Sequence, residues 1–256
     1  MLFSDKKIAL IIGHPGHELR LYKFVELYKP RVYVITDGSG NTGHSRMYNT
    51  INIIEQLGAE VSTIAGYFSD KEIYRIILEQ DFTSASRLLN DMMKDLISFS
   101  PDIIVGDALE GFSPTHDLCR YIISKLTTEL TQKHHVKIDG YDFLLDGMMT
   151  KEDSNSAIGI ELSDQDFLRK YKAAEAYQEL AYEMKVAIDK FGEAAFKTEY
   201  IRPVLNNASN PVWSDIPFYE KYGMEKIKAG VYKEAITYQH HMKPFLEWIN
   251  QYSFDY

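Results

Sequence analysis

The sequence predicts an α/β protein, a Rossmann-like three-layer sandwich with a mainly parallel sheet and an added C-terminal helical half. Two observations carry this. In the first half, short runs of continuous Val, Ile and Leu such as IALII and VYVIT alternate with stretches of helical period, and strands apolar on both faces belong to a parallel sheet covered by helices on each side. After YDFLLDG (141–147) the texture changes to a loop rich in Gly, Thr, Ser and Asp, and then to a long helical stretch.

Taken in order, strands are expected at 7–13, 31–37, 60–66 and 102–107, with helices at about 17–29 and 44–57, two within 69–99, and one at about 115–133. From Asp164 to Phe191, Phe167, Tyr171, Ala174, Tyr177 and Leu180 recur at helical spacing, a stripe that reads as core. A last helix is expected at about 228–252. No repeat, low-complexity segment or linker interrupts the chain, so one domain is expected over 1–256, with a core of 1–147 and a C-terminal helical part, 148–256, packed on it.

Composition narrows the function classes. At 45% hydrophobic and 25% charged, 256 residues can build a substantial core. No apolar run approaches the length of a membrane span, and MLFSDKK lacks the apolar segment of a secretory signal, which makes the cytoplasm the expected location. The single cysteine, Cys119, allows neither an intrachain disulfide nor a cysteine-rich metal site and reads as a buried helix residue. A net charge of −9 argues against nucleic acid as a partner. The 18 Tyr and 13 Phe leave room for aromatic interfaces in a homo-oligomer.

In an open parallel sheet, ligands bind beyond the carboxyl ends of the strands. Three such loops carry chemistry: GHPGHE with His14, His17 and Glu18; TDGSGNTGHSR with Asp37, His44 and Arg46; and GDALEGFSPTHD with Asp107, Glu110, His116 and Asp117. Histidines from neighbouring loops could meet at one divalent metal, since neutral imidazole is a common zinc ligand; alternatively each caps a helix or bonds a backbone group. GSGNTG (38–43) matches G-x-G-x-x-G, but it follows the second strand and has a carboxylate before it, so it reads as a Gly-rich turn rather than a dinucleotide site. His134 and His135 fall in a polar stretch, and of His240 and His241 only one can face inward.

GHPGHE followed by VYVITDGSG, then PDIIVGDALEGFSPTHD, resembles the PIG-L/LmbE-like N-deacetylases, zinc hydrolases with an A-H-P-D-D-E loop after the first strand and an H-P-D-H-D loop after the fourth. FGEAAFKTEYIRP, PFYEKYG and GVYKEAITYQHHMKP are similar to the C-terminal half of some uncharacterised members, so the resemblance spans nearly the whole chain. It implies one zinc ion per chain, with His14 as the first ligand, His17 in the place of an Asp ligand, and His116 as the third. Gly16 stands where the family has its catalytic Asp, and Ser113 where it has an oxyanion-stabilising His, while Glu18 and Asp117 keep the pattern. An imidazole in place of a carboxylate leaves a bound ion with more uncompensated charge and stronger Lewis acidity. With Gly16 unable to move a proton, Glu18, Glu110, Asp117 and His241 are the candidate substitutes, and Glu18, Asp117 and His241 are assigned catalytic roles. Asp37, Arg46, Glu110 and Ser113 are assigned to substrate, Arg46 suiting a phosphate or carboxylate.

The implied function is metal-dependent removal of an acyl group, with acetyl the expectation, from the amino group of a sugar or glycoconjugate. The competing expectation is a catalytically impaired member acting as a carbohydrate-binding or regulatory protein. Gly16 and Ser113 favour the second; the three histidines favour the first.

Overall fold

The computed structural model describes residues 2–40, 42–133, 137–146, 149, 156–177, 180–204, 211 and 213–254. The His134 and His135 pair, and most of the loop after residue 147, lie outside the described residues.

Five parallel strands form the body of the sheet: β1 (Ile8–Ile12), β2 (Arg31–Thr36), β3 (Glu60–Phe68), β4 (Ile103–Asp107) and β5 (Asp139–Phe143). Every residue of β1 is buried, as a central strand covered on both faces requires. Alternation divides it between two cores. Ala9 and Ile11 pack with Leu88, Leu89, Met92 and Leu126 on one face, and Ile8, Leu10 and Ile12 with Phe24, Val25 and Ile54 on the other. The helices are α1 (Tyr22–Tyr28, after a tight turn at His17–Leu21), α2 (Met47–Gln56), α3 (Asp70–Glu79), α4 (Phe82–Phe99) and α5 (Pro114–Lys133). Ser69 starts α3 with a reciprocal cap, its hydroxyl accepting from Glu72 N–H while the Glu72 carboxylate accepts from Ser69 N–H.

The C-terminal half is less purely helical than its composition suggests. It adds β6 (Ile158–Glu161) and β7 (Thr198–Pro203), and β7 pairs antiparallel with both β5 and β6. The full order is β3-β2-β1-β4-β5-β7-β6. The stretch expected as one long helix is two, α6 (Asp164–Ala176) and α7 (Ala181–Phe191), because Tyr177 leaves helical geometry to send its hydroxyl toward Thr50 and the Arg46 carbonyl. A helix not expected from sequence, α8 (Phe218–Lys228), precedes the last one, and the expected helix of about 228–252 begins only with a wide helical turn at Tyr238–Met242, capped by Thr237, that runs into α9 (Lys243–Gln251), which carries Pro244 in its first turn. Proline is accommodated there because its missing N–H would have had no helical partner. Among the described residues, no helix is long and apolar enough to cross a membrane.

Glu199 ties this second half to the first. Buried on β7, it accepts from Lys23 N–H (3.0 Å) and Phe24 N–H (2.9 Å), two donors of the open first turn of α1, and from Lys170 Nζ of α6 (2.8 Å). Burial lowers the Lys170 pKa, and Glu199 opposes that shift. Removing the carboxylate leaves a buried cation without its counter-charge, a change that costs about 3–5 kcal/mol. Glu199→Ala should therefore lower the unfolding free energy in urea by about that amount, and Lys170→Met with Glu199→Gln, which removes both charges and keeps an amide oxygen as acceptor for the α1 N–H groups, should recover most of it. A loss that the double replacement fails to recover would mean that the charges are not what binds the halves.

Candidate functional site

The sheet order places a topological switch between β1 and β4: the chain winds from β1 outward through β2 and β3, then returns to β4 on the other side. The loops leaving these two strands part there and open a crevice. His14 and His17 leave β1 and His116 starts α5 after β4, and their ring centroids stand 5.4, 5.2 and 4.6 Å apart.

Two of the rings are held by carboxylates. His14 Nδ1 lies 2.7 Å from Thr36 Oγ1 and 3.1 Å from Asp70 Oδ1, and His17 Nδ1 lies 3.0 and 3.1 Å from the two oxygens of Asp107. A carboxylate only accepts, so each Nδ1 carries the hydrogen and each Nε2 keeps the lone pair. Burial lowers the His14 pKa, with His17 and Arg46 adding to the effect and Asp70 opposing it. His116 is lowered further, by burial first and then by His17 and His14; its Nδ1 is buried without a partner. Burial alone would raise the Asp70 pKa, but the hydrogen bond and charge of His14, with Thr36 and the Gly40 N–H, hold it below the usual carboxylate range. Asp70 and Asp107 complete the histidine arrangement; Asp107 is among the strand-end residues singled out from sequence, without a role, and Asp70 is not. Asp70 sits inside a helix cap, and Asp107 is the last residue of a buried strand.

Gly16 joins the two ligand-like histidines in the left-handed region, at φ 105°. Its N–H donates to Glu18 Oε2 (2.7 Å), and Thr50 Oγ1 donates to Glu18 Oε1 (2.8 Å). A Cβ at position 16 would run into the Leu180 Cδ1 methyl. A residue from the C-terminal half thus occupies the space that a side chain would take.

The imidazoles open on a pocket of about 460 Å3. Its other lining residues include Pro15, Gly16, Arg20, Arg46, Phe112, Leu145 and Asp146 from the first half, and Phe167, Lys170, Tyr171, Ala174, Leu180, Met184, Ala187, Ile188 and Phe196 from the second. The α6 stripe expected as core is therefore largely pocket wall, with Tyr177 alone among the five fully buried. Neither the turn at Tyr238–Met242 nor α9 contributes to the lining.

Among the other residues singled out from sequence, Arg46 lines the pocket beside the imidazoles, its Nε buried without a partner. The remainder are not lining residues. Glu18 braces its own loop, and Asp37 accepts from Ser39 N–H within its own turn. Glu110 accepts from the Leu145 and Asp146 N–H groups, holding the loop after β5 against the pocket while Arg20 donates to the Leu145 carbonyl. Ser113 pairs with the Tyr74 phenol, and its carbonyl accepts from Asp117 N–H. His241 Nδ1 accepts from Thr237 N–H (2.9 Å) in the turn before α9, and His240 is exposed. Gly38, Gly40 and Gly43 all take positive φ, and α2 begins only at Met47, so this segment is a Gly-rich turn rather than a phosphate loop running straight into a helix. Cys119 is fully buried in α5, where burial pushes its thiol well up.

As the side chains stand, no group of three or more His, Cys, Asp or Glu among the described residues closes around one point as a metal cage. The histidine donors nevertheless suit an ion. Imidazoles sharing a tetrahedral ion at about 2.0–2.1 Å have ring centroids about 5 Å apart, close to the spacing found here, and carboxylate-bonded Nδ1 atoms are the usual support of ligating histidines.

Compared with known proteins, the chain matches no family model and no curated protein by sequence. Solved structures do share its fold. The conserved protein TT1542 from Thermus thermophilus aligns at 12% identity with a TM-score of 0.53, over 82% of this chain and 97% of that one. Dbv21, an antimicrobial-reagent pseudoaglycone deacetylase, aligns at 15% identity with a TM-score of 0.50, over 77% of this chain and 96% of its own. At such identities the likeness is one of fold.

Next to His116, Asp117 is buried, and its Oδ1 accepts from Gly111 N–H (3.1 Å) and Glu110 N–H (3.3 Å). Burial pushes its carboxyl up to about 7 despite these two donors, and the charge of Glu110 adds to the rise. Between its ordinary value of 3.8 and about 7 the folded chain holds a proton that the unfolded chain has lost. Stability from this group therefore falls as pH rises through that window, by up to about 1.4 kcal/mol per pH unit, and levels off above it. Asp117→Asn removes the slope, so the variant should gain on the parent in denaturant unfolding from about pH 4 to 7 with a chelator present. A difference that does not vary with pH would show an ordinary, ionised Asp117.

Proposed function

We propose that the chain is a metal-dependent amidohydrolase of the PIG-L/LmbE-like kind, removing an acyl group from the amino group of a sugar or sugar conjugate. The observation that carries this reading is the convergence of three imidazoles on one pocket at the switch point, two of them with Nδ1 bonded to buried carboxylates. Support also comes from the fold shared with a pseudoaglycone deacetylase.

His14, His17 and His116 would hold the ion, zinc being the expected choice for nitrogen donors. When bound, such an ion polarises an amide carbonyl and makes water a competent nucleophile at neutral pH. The chain's own residues do the rest. Asp70 and Asp107 keep His14 and His17 in the tautomer that offers Nε2. Arg46, with an unpartnered Nε beside the imidazoles, binds an anionic or carbonyl oxygen of the substrate. Asp146 carries the only carboxylate among the described lining residues, and proton delivery to the departing amine is assigned to it.

Metal content of untagged protein, measured on the parent and on His14→Ala, His17→Ala and His116→Ala, tests the ligand set; each variant should lose the ion. Gly16→Asp tests the missing base. Alone it should give no gain, because φ 105° disfavours a side chain and Leu180 fills the space. Combined with Leu180→Ala it should raise hydrolysis of N-acyl glucosamines by about tenfold or more, within the range of one acid–base group. Asp146→Asn should lower kcat by roughly 10²–10⁴. Stoichiometric metal with no turnover in the parent or the double variant would overturn the enzyme reading and leave a binding protein.

A further inference from the structure

At about 460 Å3 the pocket lies within the about 300–1,000 Å3 typical of sites that enclose whole small molecules, so the two carbons of an acetyl group would leave most of it empty. Its second-half wall is chemically one-sided. Phe167, Ala174, Leu180, Met184, Ile188 and Phe196 present carbon and sulfur, and the Tyr171 phenol and the Lys170 ammonium are the polar groups this wall carries among the described residues. Lys170, the cation in this wall, is already bonded to Glu199 and to the Arg20 carbonyl. A sugar ring seated here would leave several hydroxyls without partners, which is strongly unfavourable. A polymethylene chain has none to leave, and each buried carbon favours binding. Met184 and Leu180 are flexible enough to repack along it. The other charged lining residues, Arg20, Arg46 and Asp146, come from the first half of the chain, as do the imidazoles.

We propose that the α6–α7 wall is the seat of a long unbranched acyl chain, which makes the substrate a fatty N-acyl amino compound rather than an N-acetyl one. This rests on the amidohydrolase reading of the same site. The reaction is amide hydrolysis: water adds to the carbonyl carbon, the C–N bond breaks, the nitrogen departs as the amine after taking a proton, and a fatty carboxylate is released. The aliphatic chain lies against Leu180, Met184 and Ile188, and the carbonyl lies at the imidazoles.

Binding and turnover are tested separately. N-acyl glucosamines from acetyl through hexanoyl and decanoyl to tetradecanoyl should show kcat/KM rising about two- to fourfold per methylene until the pocket is full. Decanoate, the product of one of these, should bind the chelator-treated protein in calorimetry, and acetate should not. Ala187→Trp, checked for folding by its unfolding transition, should weaken decanoate binding by about tenfold or more and shift turnover toward shorter chains. A flat chain-length profile with hydrolysis of the acetyl compound and no decanoate binding overturns the acyl-chain seat and leaves the amidohydrolase reading intact. Decanoate binding that Ala187→Trp does not weaken also overturns it. Absence of turnover at every length, together with decanoate binding that the tryptophan weakens, upholds the seat and removes the hydrolase.

Discussion

The Asp107 carboxylate is fully buried where β1 and β4 end side by side, and a buried anion is tolerable only when donors surround it. Those donors are the Gly13 N–H at 2.7 Å and the His17 ring at 3.0–3.1 Å. A Cβ at position 13 would stand only 2.9 Å from Asp107 Oδ2, so close approach rather than turn geometry explains that glycine. Satisfying one carboxylate fixes how the chain leaves β1, and with it the orientation of His17. The site depends on this because His14, Gly16 and His17 all follow within a single turn.

A second layer of bonds joins that turn to the C-terminal half. Glu18 accepts from Gly16 N–H and Thr50, Thr50 meets the Tyr177 hydroxyl, and Tyr177 also reaches the Arg46 carbonyl. Arg46 and Leu180 lie close along the chain to the ends of this network, so the pocket's polar and apolar walls are set by one set of contacts. Glu110 and Arg20 grip the loop after β5 from opposite sides, one accepting from its N–H groups and the other donating to its carbonyl. Three of the acidic residues placed at the chemistry from sequence, the buried Glu18 and Asp117 and the half-buried Glu110, brace the loops that bear it.

Much of the first half could be read from sequence because its strands are apolar on both faces and its helices are amphipathic, patterns fixed by local burial. The strand-end rule then brought His14, His17 and His116 forward as residues to be placed together. What pattern could not supply was the role of a carboxylate. Asp70 looks like a helix-cap residue until the fold sets it against His14, and Asp107 looks like the polar end of a strand until β1 and β4 are neighbours. IGIE and TEYIRP, which form β6 and β7, are short and only partly apolar, so no strand pattern marks them in the sequence. The Phe167, Tyr171, Ala174 and Leu180 stripe has the period of a core face, and periodicity does not distinguish a helix packed on protein from one packed on an open pocket.

Gly16 and His17 are physically linked in the loop after β1. An imidazole at position 17 in place of a carboxylate would leave a bound cation with less negative charge against it. Asp107 and Asp70 restore that charge one ring farther away, through His17 Nδ1 and His14 Nδ1. The pocket then lies beside two buried carboxylates, one behind each of these two imidazoles. A third carboxylate at position 16 would be added to a site already balanced by these two, in backbone geometry that disfavours it and against Leu180. Glycine there lets the apolar wall approach the imidazoles, because Leu180 takes the space that a side chain at position 16 would fill.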